Sequence, residues 1–573
     1  MRTGRWAPFV VTVDNRGPAL QATVSLEVFR GSELRGTLAS RRFERDVQLP
    51  ARSRRRFSFA APIETVPRPA VARVSTADGE EERELARAEV PLARIATGGR
   101  IVVAVSSEIA LDFLGQEGVR VVYPHAENLP ESWVGWSGVD LVVVRDTAFH
   151  RLAPAQATAL ERWVRAGGTI VFTGGTTALQ LASSGLAGLV PVEVTGLVER
   201  AGLPSLGRLA GSAARAGAEV LAAEGGLPLV AVRPTGAGRS AWIAFDPADR
   251  AFASWPGRPA LWRLVAGEAA ALPAEDEGWR EPLDDPWIAP LAAHARVSFP
   301  SHARLAVFLA AFLLPSLALL LLPRRLVPRL GPRLRALLLL LLAAGASAAG
   351  WFAFNRWLFR GDDFLLEAAR VKAGDGTALL SRRLAVCSPS GGSFELSVGP
   401  SDSRVEDVTA TTRDRPPGSL AIGLTEAATV RGQAPRRFQS RLVVADAVIP
   451  FALSAVLARE GDGARLTVEN GTGTTIRDAF LVRGAAILPL GDLEPGPALI
   501  HPVPAPGGSG ARGSAVAIAD AGRRAFWERE SPVIGRSGPV LVGWLDEPPM
   551  AARLGGEPAA ASACMVTLEV DER

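Results

Sequence analysis

Two runs of residues without a single charge, 305–322 (LAVFLAAFLLPSLALLLL) and 336–354 (ALLLLLLAAGASAAGWFAF), constrain this chain more than any other feature. At 1.5 Å of rise per residue, each spans about 27–29 Å as a helix, close to the thickness of a bilayer's hydrocarbon core. Leu and Phe each favour insertion by about 0.3–0.6 kcal/mol at a helix centre, so both runs read as transmembrane helices. Pro315 kinks the first, which a membrane tolerates. The alternative is a buried helical hairpin. Between the runs, residues 323–335 carry Arg324, Arg325, Arg329, Arg333 and Arg335 and no acid. So basic a short loop belongs on the cytoplasmic side. Trp351, Phe352, Phe354, Trp357 and Phe359 resemble an interfacial aromatic belt. The expectation is a protein of the inner (plasma) membrane whose N- and C-terminal domains lie outside the cytoplasm. The opening MRTGRWAPFVVTVDNRG has no apolar h-region, so that orientation requires a signal sequence upstream of Met1.

A chain of 573 residues is too long for one core, and several domains are expected. With 48% hydrophobic and 21% charged residues it is no disordered chain. Lys372 is its only lysine; the abundance of Arg, Gly and Pro reads as a G+C-rich coding bias. Net charge is +4 with acids interspersed among the arginines, and no RNA- or DNA-binding motif is present, which excludes a nucleic-acid partner from the reading. Cys387 and Cys564 form no CxxC, and His125, His150, His294, His302 and His501 are scattered, so neither a metal nor a cofactor is expected. The two cysteines are either a disulfide or two separate buried thiols.

Residues 1–96 alternate as short strands (FVVTVDN, ATVSLEVFR, RRFSFAAPI) with turn residues between them, the pattern of an immunoglobulin-like β-sandwich. Arg52, Arg54, Arg55 and Arg56 read as a solvated strand edge that blunts edge pairing; a binding surface is the other reading. Residues 97–272 change pattern. RIVVAV at 100–105 is a strand buried on both faces. Strands at 119–123, 140–144 and 169–173 follow, with a helix over 154–166 that opens on Pro154 and closes on Gly167-Gly168. Leu160, Trp163 and Val164 put one apolar face on that helix. Segments 229–233 and 240–246 read as a hairpin. Alternating β and α elements predict a doubly wound α/β sheet.

The stretches DLVVVRD, LERWVRAGGTIVFTGG and LPLVAVRPTGAGRSAWIAFDP, with Phe299-Pro300-Ser301 before the first apolar run, resemble the class I glutamine-amidotransferase-like domain of membrane-anchored bacterial envelope proteins of unassigned function. The resemblance implies a flavodoxin-like fold, and for an active member a Cys nucleophile with a His-Glu pair. No cysteine precedes Cys387, so the glutaminase chemistry is expected to be lost.

Ligands of doubly wound sheets bind outside the strand carboxyl ends. Those ends carry Ser106, Ser107 and Glu108, then Arg145, Asp146 and His150, then Thr173, Gly174, Gly175, Thr176 and Thr177. One reading is a small-ligand or anion site using Ser106, Ser107, the Gly174-Gly175 backbone, Thr173 and Thr176 at a helix N-terminus. Asp146 and His150 would be an acid/base pair if the fold brings them together. The other reading has Ser107, Asp146 and Thr176 as helix caps and His150 as a loop residue. Residues 273–303 read as an acidic connector at the membrane surface, 304–355 as the two helices, and 361–573 as one or two further β-sandwich units. The functional expectation is a non-enzymatic envelope protein that binds a protein partner or small ligand. Its alternative is an extracytoplasmic hydrolase using Asp146 and His150.

Overall fold

The computed structural model describes residues 5–30, 39–63, 68–78, 81–90, 100–106, 111–114, 119–145, 152–175, 178–198, 209–247, 257–266, 285–294, 363–388, 392–409, 420–434, 439–460, 463–484, 486–503, 520–532 and 538–572, with isolated positions elsewhere.

Strands β1 (Arg5–Asn15), β2 (Leu20–Arg30), β3 (Ala39–Leu49), β4 (Ser53–Ile63), β5 (Ala70–Asp78) and β6 (Glu81–Val90) arise where apolar side chains recur at every second residue. β1 and β4 pair antiparallel along their whole length, Arg5 opposite Ile63 and Asn15 opposite Ser53. β6, β5, β2 and β3 form the facing sheet. Trp6, Phe9 and Phe59 from one side meet Val24, Leu26 and Phe43 from the other. Burying each such side chain stabilises the fold by about 1.5–3 kcal/mol.

The middle of the chain supplies β7 (Arg100–Val105), β8 (Val119–Val122), β9 (Leu141–Val144), α1 (Pro154–Arg165), β10 (Thr169–Thr173), α2 (Ala178–Leu181), β11 (Val192–Val198), β12 (Leu209–Ala214), β13 (Glu219–Glu224), β14 (Leu227–Thr235), β15 (Gly238–Ile243) and α3 (Arg258–Ala266). Seven of these strands form one sheet in the order β13-β14-β15-β10-β9-β7-β8. β15, β10, β9, β7 and β8 run parallel, while β14 and β13 are antiparallel. α1 opens on Pro154, whose missing N–H costs nothing at a first helical position. Gln156 turns back to accept from Ala153 N at 2.9 Å and donates to the carbonyls of Ala126 and Leu129. Leu160, Trp163 and Val164 are sealed against the sheet. The helix ends at Gly167, whose φ of 124° favours glycine.

β16 (Phe364–Gly374), β17 (Thr377–Ser388), β18 (Gly392–Pro400), β19 (Arg404–Asp407), β20 (Leu420–Leu424), β21 (Ala427–Ala434), β22 (Gln439–Pro450), β23 (Leu453–Glu460), β24 (Gly463–Asn470), β25 (Ile476–Arg483), β26 (Ala486–Leu493), β27 (Gly496–Val503), β28 (Val540–Leu545), β29 (Arg553–Leu554), β30 (Glu557–Pro558), β31 (Ala561–Glu569) and β32 (Asp571–Glu572) complete the chain, with α4 (Ala289–His294) before them and α5 (Ala521–Glu530) among them. One sheet runs β19-β22-β17-β16-β31-β28-β25-β26, and β27-β24-β23-β32 form a smaller one. The third sheet joins the two ends of the chain. β20 pairs parallel with β3, Ile422 opposite Phe43, so that β30-β29-β18-β21-β20-β3-β2-β5-β6 is continuous.

The joint is also ionic. Arg30 donates to the carbonyls of Asp407 and Thr409, and Arg41 to that of Asp407. Arg41 pairs with Glu406, and Arg441 with Asp407. On the other side of the molecule α1 meets the C-terminal strands. Arg162 pairs with Asp402, and Arg165 reaches the Asp375 carbonyl at 2.9 Å.

Several expectations are overturned. Strands make up 61% of the structure, so the chain is predominantly β rather than organised around a doubly wound α/β domain with membrane helices. The five α-helices among the described residues are short. In place of the amidotransferase-like domain stands a mixed sheet whose antiparallel β13–β14 extension needs no crossover helix. Among the described residues no helix is long and apolar enough to cross a membrane. Most of the runs 305–322 and 336–354 lies outside those residues. On that finding the expectation of two transmembrane helices is corrected, and with it the inner-membrane location and the envelope setting that rested on them. Of the connector, residues 273–284 and 295–303 lie outside the described residues. Asp285, Trp287, Ile288 and Leu291 are buried in the core formed by β16, β28, β31 and α5.

Candidate functional site

The carboxyl ends of β7, β8, β9, β10 and β15 lie side by side because these strands are parallel and in register. Each contributes one polar group. Arg145, just past β9, forms a fork with Asp246, just past β15, with both Nε–Oδ1 and Nη2–Oδ2 at 2.9 Å. Its third nitrogen, Nη1, lies 3.3 Å from Ser106 Oγ at the end of β7. Two parallel N–H···O bonds of this kind fix both partners in plane. Arg145 is nearly buried, whereas about a third of Asp246 is exposed. At the end of β8 the Tyr123 hydroxyl accepts from Leu111 N at 2.8 Å. Burial raises the Tyr123 pKa, the Leu111 bond opposes that, Asp112 adds to the rise and Arg145 works against it.

β10 ends in the tightest packing of the cluster. The Thr173 hydroxyl is buried and donates to the Val144 carbonyl at 3.3 Å. Gly174 N donates to the Ile243 carbonyl at 2.6 Å, and a Cβ at Gly174 would stand 2.3 Å from the Ala244 carbonyl oxygen. Gly175 has φ +89°, and its Cβ would meet the Asp246 Cβ at 3.3 Å. Glycine is thus required where the β10 end passes the β15 end.

Of the residues expected to form a site, Ser106, Thr173, Gly174 and Gly175 come together here, around Arg145. Ser107, Asp146, His150 and Thr176 lie outside the described residues, as do Glu108 and Thr177. Thr173 is spent on a neighbouring carbonyl, and α2 is only four residues long, so the expected anion site at a helix N-terminus has no helix to build it. The partner Asp246 lies 101 residues from Arg145, and no local sequence pattern signals such a pair. Cys387 and Cys564 are both free and buried. They sit on the strands either side of β16, opposite Phe364 and Ala369, which removes the disulfide alternative. Among the described residues no three His, Cys, Asp or Glu side chains could hold a metal.

A second buried pair lies in the C-terminal core. Arg382 and Glu367 are both fully buried with N···O at 3.6 Å. Glu367 also accepts from Ala552 N at 3.2 Å, and Arg382 donates to the Met550 carbonyl at 2.9 Å. Burial raises the Glu367 pKa against the pull of Arg382. The contacts of this pair are to backbone and core, and its role is structural.

Residues 1–93 match the model of a domain of unknown function, DUF8726. No curated protein matches the chain. Among solved structures, the cytoplasmic protein STM3548 from Salmonella typhimurium is similar at 17% identity over 34% of this chain and 94% of its own, with a TM-score of 0.25. The exo-β-1,4-mannosidase Op5Man5 from Opitutaceae bacterium strain TAV5 is similar at 17% identity over 31% of this chain and 36% of its own, with a TM-score of 0.22. The yeast δ-COP-I μ-homology domain, complexed with a Dsl1 WxWxV peptide, reaches 9% identity over 37% of this chain and 98% of its own, with a TM-score of 0.19. Likenesses this slight carry no argument about fold or function.

Proposed function

We propose that this chain is a non-enzymatic interaction protein, a composite β body that binds a protein partner. The observation that carries this reading is the fork between Arg145 and Asp246. A catalytic site keeps polar groups available at the strand ends for a substrate. Here the one strongly charged donor among the described strand-end groups is engaged by an acceptor of the same chain, with Ser106 beside it. The surrounding contacts support the same view: the central sheet is clamped through α1 to the C-terminal strands, and those strands are joined to the N-terminal sheet through β20 and β3. The design favours rigidity over an opening cleft.

The test is a turnover survey of the full chain against glutamine, an activated ester, a peptide and a panel of nitrophenyl glycosides. No turnover above buffer is expected. Turnover abolished by His150→Ala or Asp146→Asn would overturn the reading in favour of a hydrolase.

A further inference from the structure

The tip of the β1–β4 ribbon carries more positive charge than edge protection needs. Arg52, Arg54 and Arg55 are all exposed, and none of their side chains has a hydrogen-bond or ion-pair partner among the described residues. Arg16 joins them and engages Asp14, the cross-strand neighbour of Arg54. Four arginines thus stand against one aspartate. Elsewhere many of the chain's arginines are paired, including the adjacent Arg56, which bonds the Glu127 carbonyl and Asn128 Oδ1.

This tip is built rather than loose. Asn15, itself buried, donates to the carbonyls of Pro18 and Pro50, both at 2.8 Å, and accepts from Gly17 N. Arg52 N donates to the Gly17 carbonyl at 3.2 Å, and Ser53 Oγ bonds the Pro50 carbonyl. Arg52 holds φ at 45°, a conformation that glycine or asparagine adopts more cheaply. A strained arginine at a charged, rigid turn points to a role for its side chain.

Its geometry selects the partner. Successive strand residues face opposite sides, so Arg54 and Arg55 cannot close on one compact anion. Among the described residues β4 is hydrogen-bonded as a strand to β1 alone, with no strand paired along its other edge. Charges that repel a basic strand admit an acidic one. Only a peptide uses both the guanidiniums and the open ladder. We infer that the β1–β4 tip is a docking edge for an acidic, extended peptide segment of a partner protein, added as a strand beside Ser53–Phe57 with its carboxylates on Arg52, Arg54 and Arg55. This rests on the reading of the chain as an interaction protein.

The test is fluorescence anisotropy of a labelled peptide of Glu-Glu-Val repeats, which as a strand carries carboxylates on both faces, with the full chain. Its arms are the same peptide with proline at alternate positions, a single-stranded DNA oligonucleotide, and vesicles containing phosphatidylserine. The acidic peptide should bind at low salt and weaken as salt rises. Arg54→Glu/Arg55→Glu should weaken it by about tenfold or more while leaving the melting temperature unchanged, because both side chains are exposed. Absent binding, equal binding by the double variant, or equal binding by the proline peptide each overturns the proposal. Tighter arginine-dependent binding of DNA or vesicles does so too. The turnover survey is independent of these outcomes, so an enzyme and a non-binding edge remain distinguishable.

Discussion

Asp285 and Arg383 lie sealed from solvent, Oδ2 to Nη1 at 3.4 Å, and together they fasten the connector to the C-terminal sheet. The Arg383 guanidinium also sits 5.0 Å above the Trp287 ring, and Trp287 packs on Phe526 at 4.9 Å. Asp285 Oδ1 accepts from Trp287 N, and its carbonyl from Ala289 N at the start of α4. Removing one member of a buried pair strands the other charge. Asp285→Ala should therefore cost about 3–5 kcal/mol, read by urea unfolding of the full chain. A loss below about 1 kcal/mol, the range of an exposed pair, would show that the connector is held by apolar packing alone.

The joint between β3 and the C-terminal strands should be acid-labile. Burial pushes Asp407 up, but Arg30, Arg441, the Thr409 hydroxyl and Arg41 outweigh it and hold the carboxyl below its ordinary 3.8. Burial likewise raises Glu406, while Arg41, Arg404 and Arg30 bring it below 4.5. Depressed folded-state values mean that this stabilisation is full above the ordinary carboxylate values and is lost as pH falls through the depressed ones. Glu44, raised mainly by burial despite Arg42 and Arg431, acts with the opposite sign and relaxes on protonation. Asp407→Asn should melt lower than the parent at neutral pH, with the gap closing as pH drops below 3.8. A gap that stays constant down to about pH 3 would remove Asp407 as the acid-sensitive group.

What could be read from the sequence followed physical range. Leu141–Val144 and the Ile170-Val171-Phe172 centre of β10 are uninterrupted apolar runs, and a strand buried on both faces requires that pattern. Pro154 and Gly167 punctuate α1 because their backbone preferences act locally. The pairing of β20 with β3 joins residues almost four hundred positions apart and leaves no periodic signal. The same holds for Arg145 and Asp246. Asp285-Pro286-Trp287 sits in an acidic, proline-rich stretch whose composition suggests a linker, and only the fold reveals the buried Arg383 that receives it. At the strand ends, the residue types were legible, but which would be consumed by partners of the same chain was not.

The cysteines give a chemical test of the C-terminal sheet. Burial pushes the Cys387 thiol up to about 12 and raises Cys564 further, with Glu367 adding to the latter. The thiolate is the reactive form, so both should resist iodoacetamide at neutral pH in the native protein. Unfolding without reductant should release two alkylatable thiols, counted by mass spectrometry. Finding none would mean a disulfide, which the positions of Cys387 and Cys564 on either side of β16 exclude.

Gly174 offers the sharpest probe of the strand-end cluster, because its constraint is spatial. A Cβ there would lie 2.3 Å from the Ala244 carbonyl oxygen, and both atoms belong to backbone. Neither can rotate away, so Gly174→Ala must part the ends of β10 and β15, strain the 2.6 Å bond from Gly174 N to Ile243, and shift Asp246 against Arg145. Overpacking of this kind costs about 1–3 kcal/mol or more. Gly226 provides the complementary control: its φ is +81°, yet a Cβ would meet nothing within 4 Å. Gly226→Ala therefore reports conformational strain alone, about 1 kcal/mol. The melting temperature should fall further for Gly174→Ala than for Gly226→Ala. Equal losses would show that β10 and β15 yield easily, and a strand end that yields could open to admit a ligand between Arg145 and Asp246.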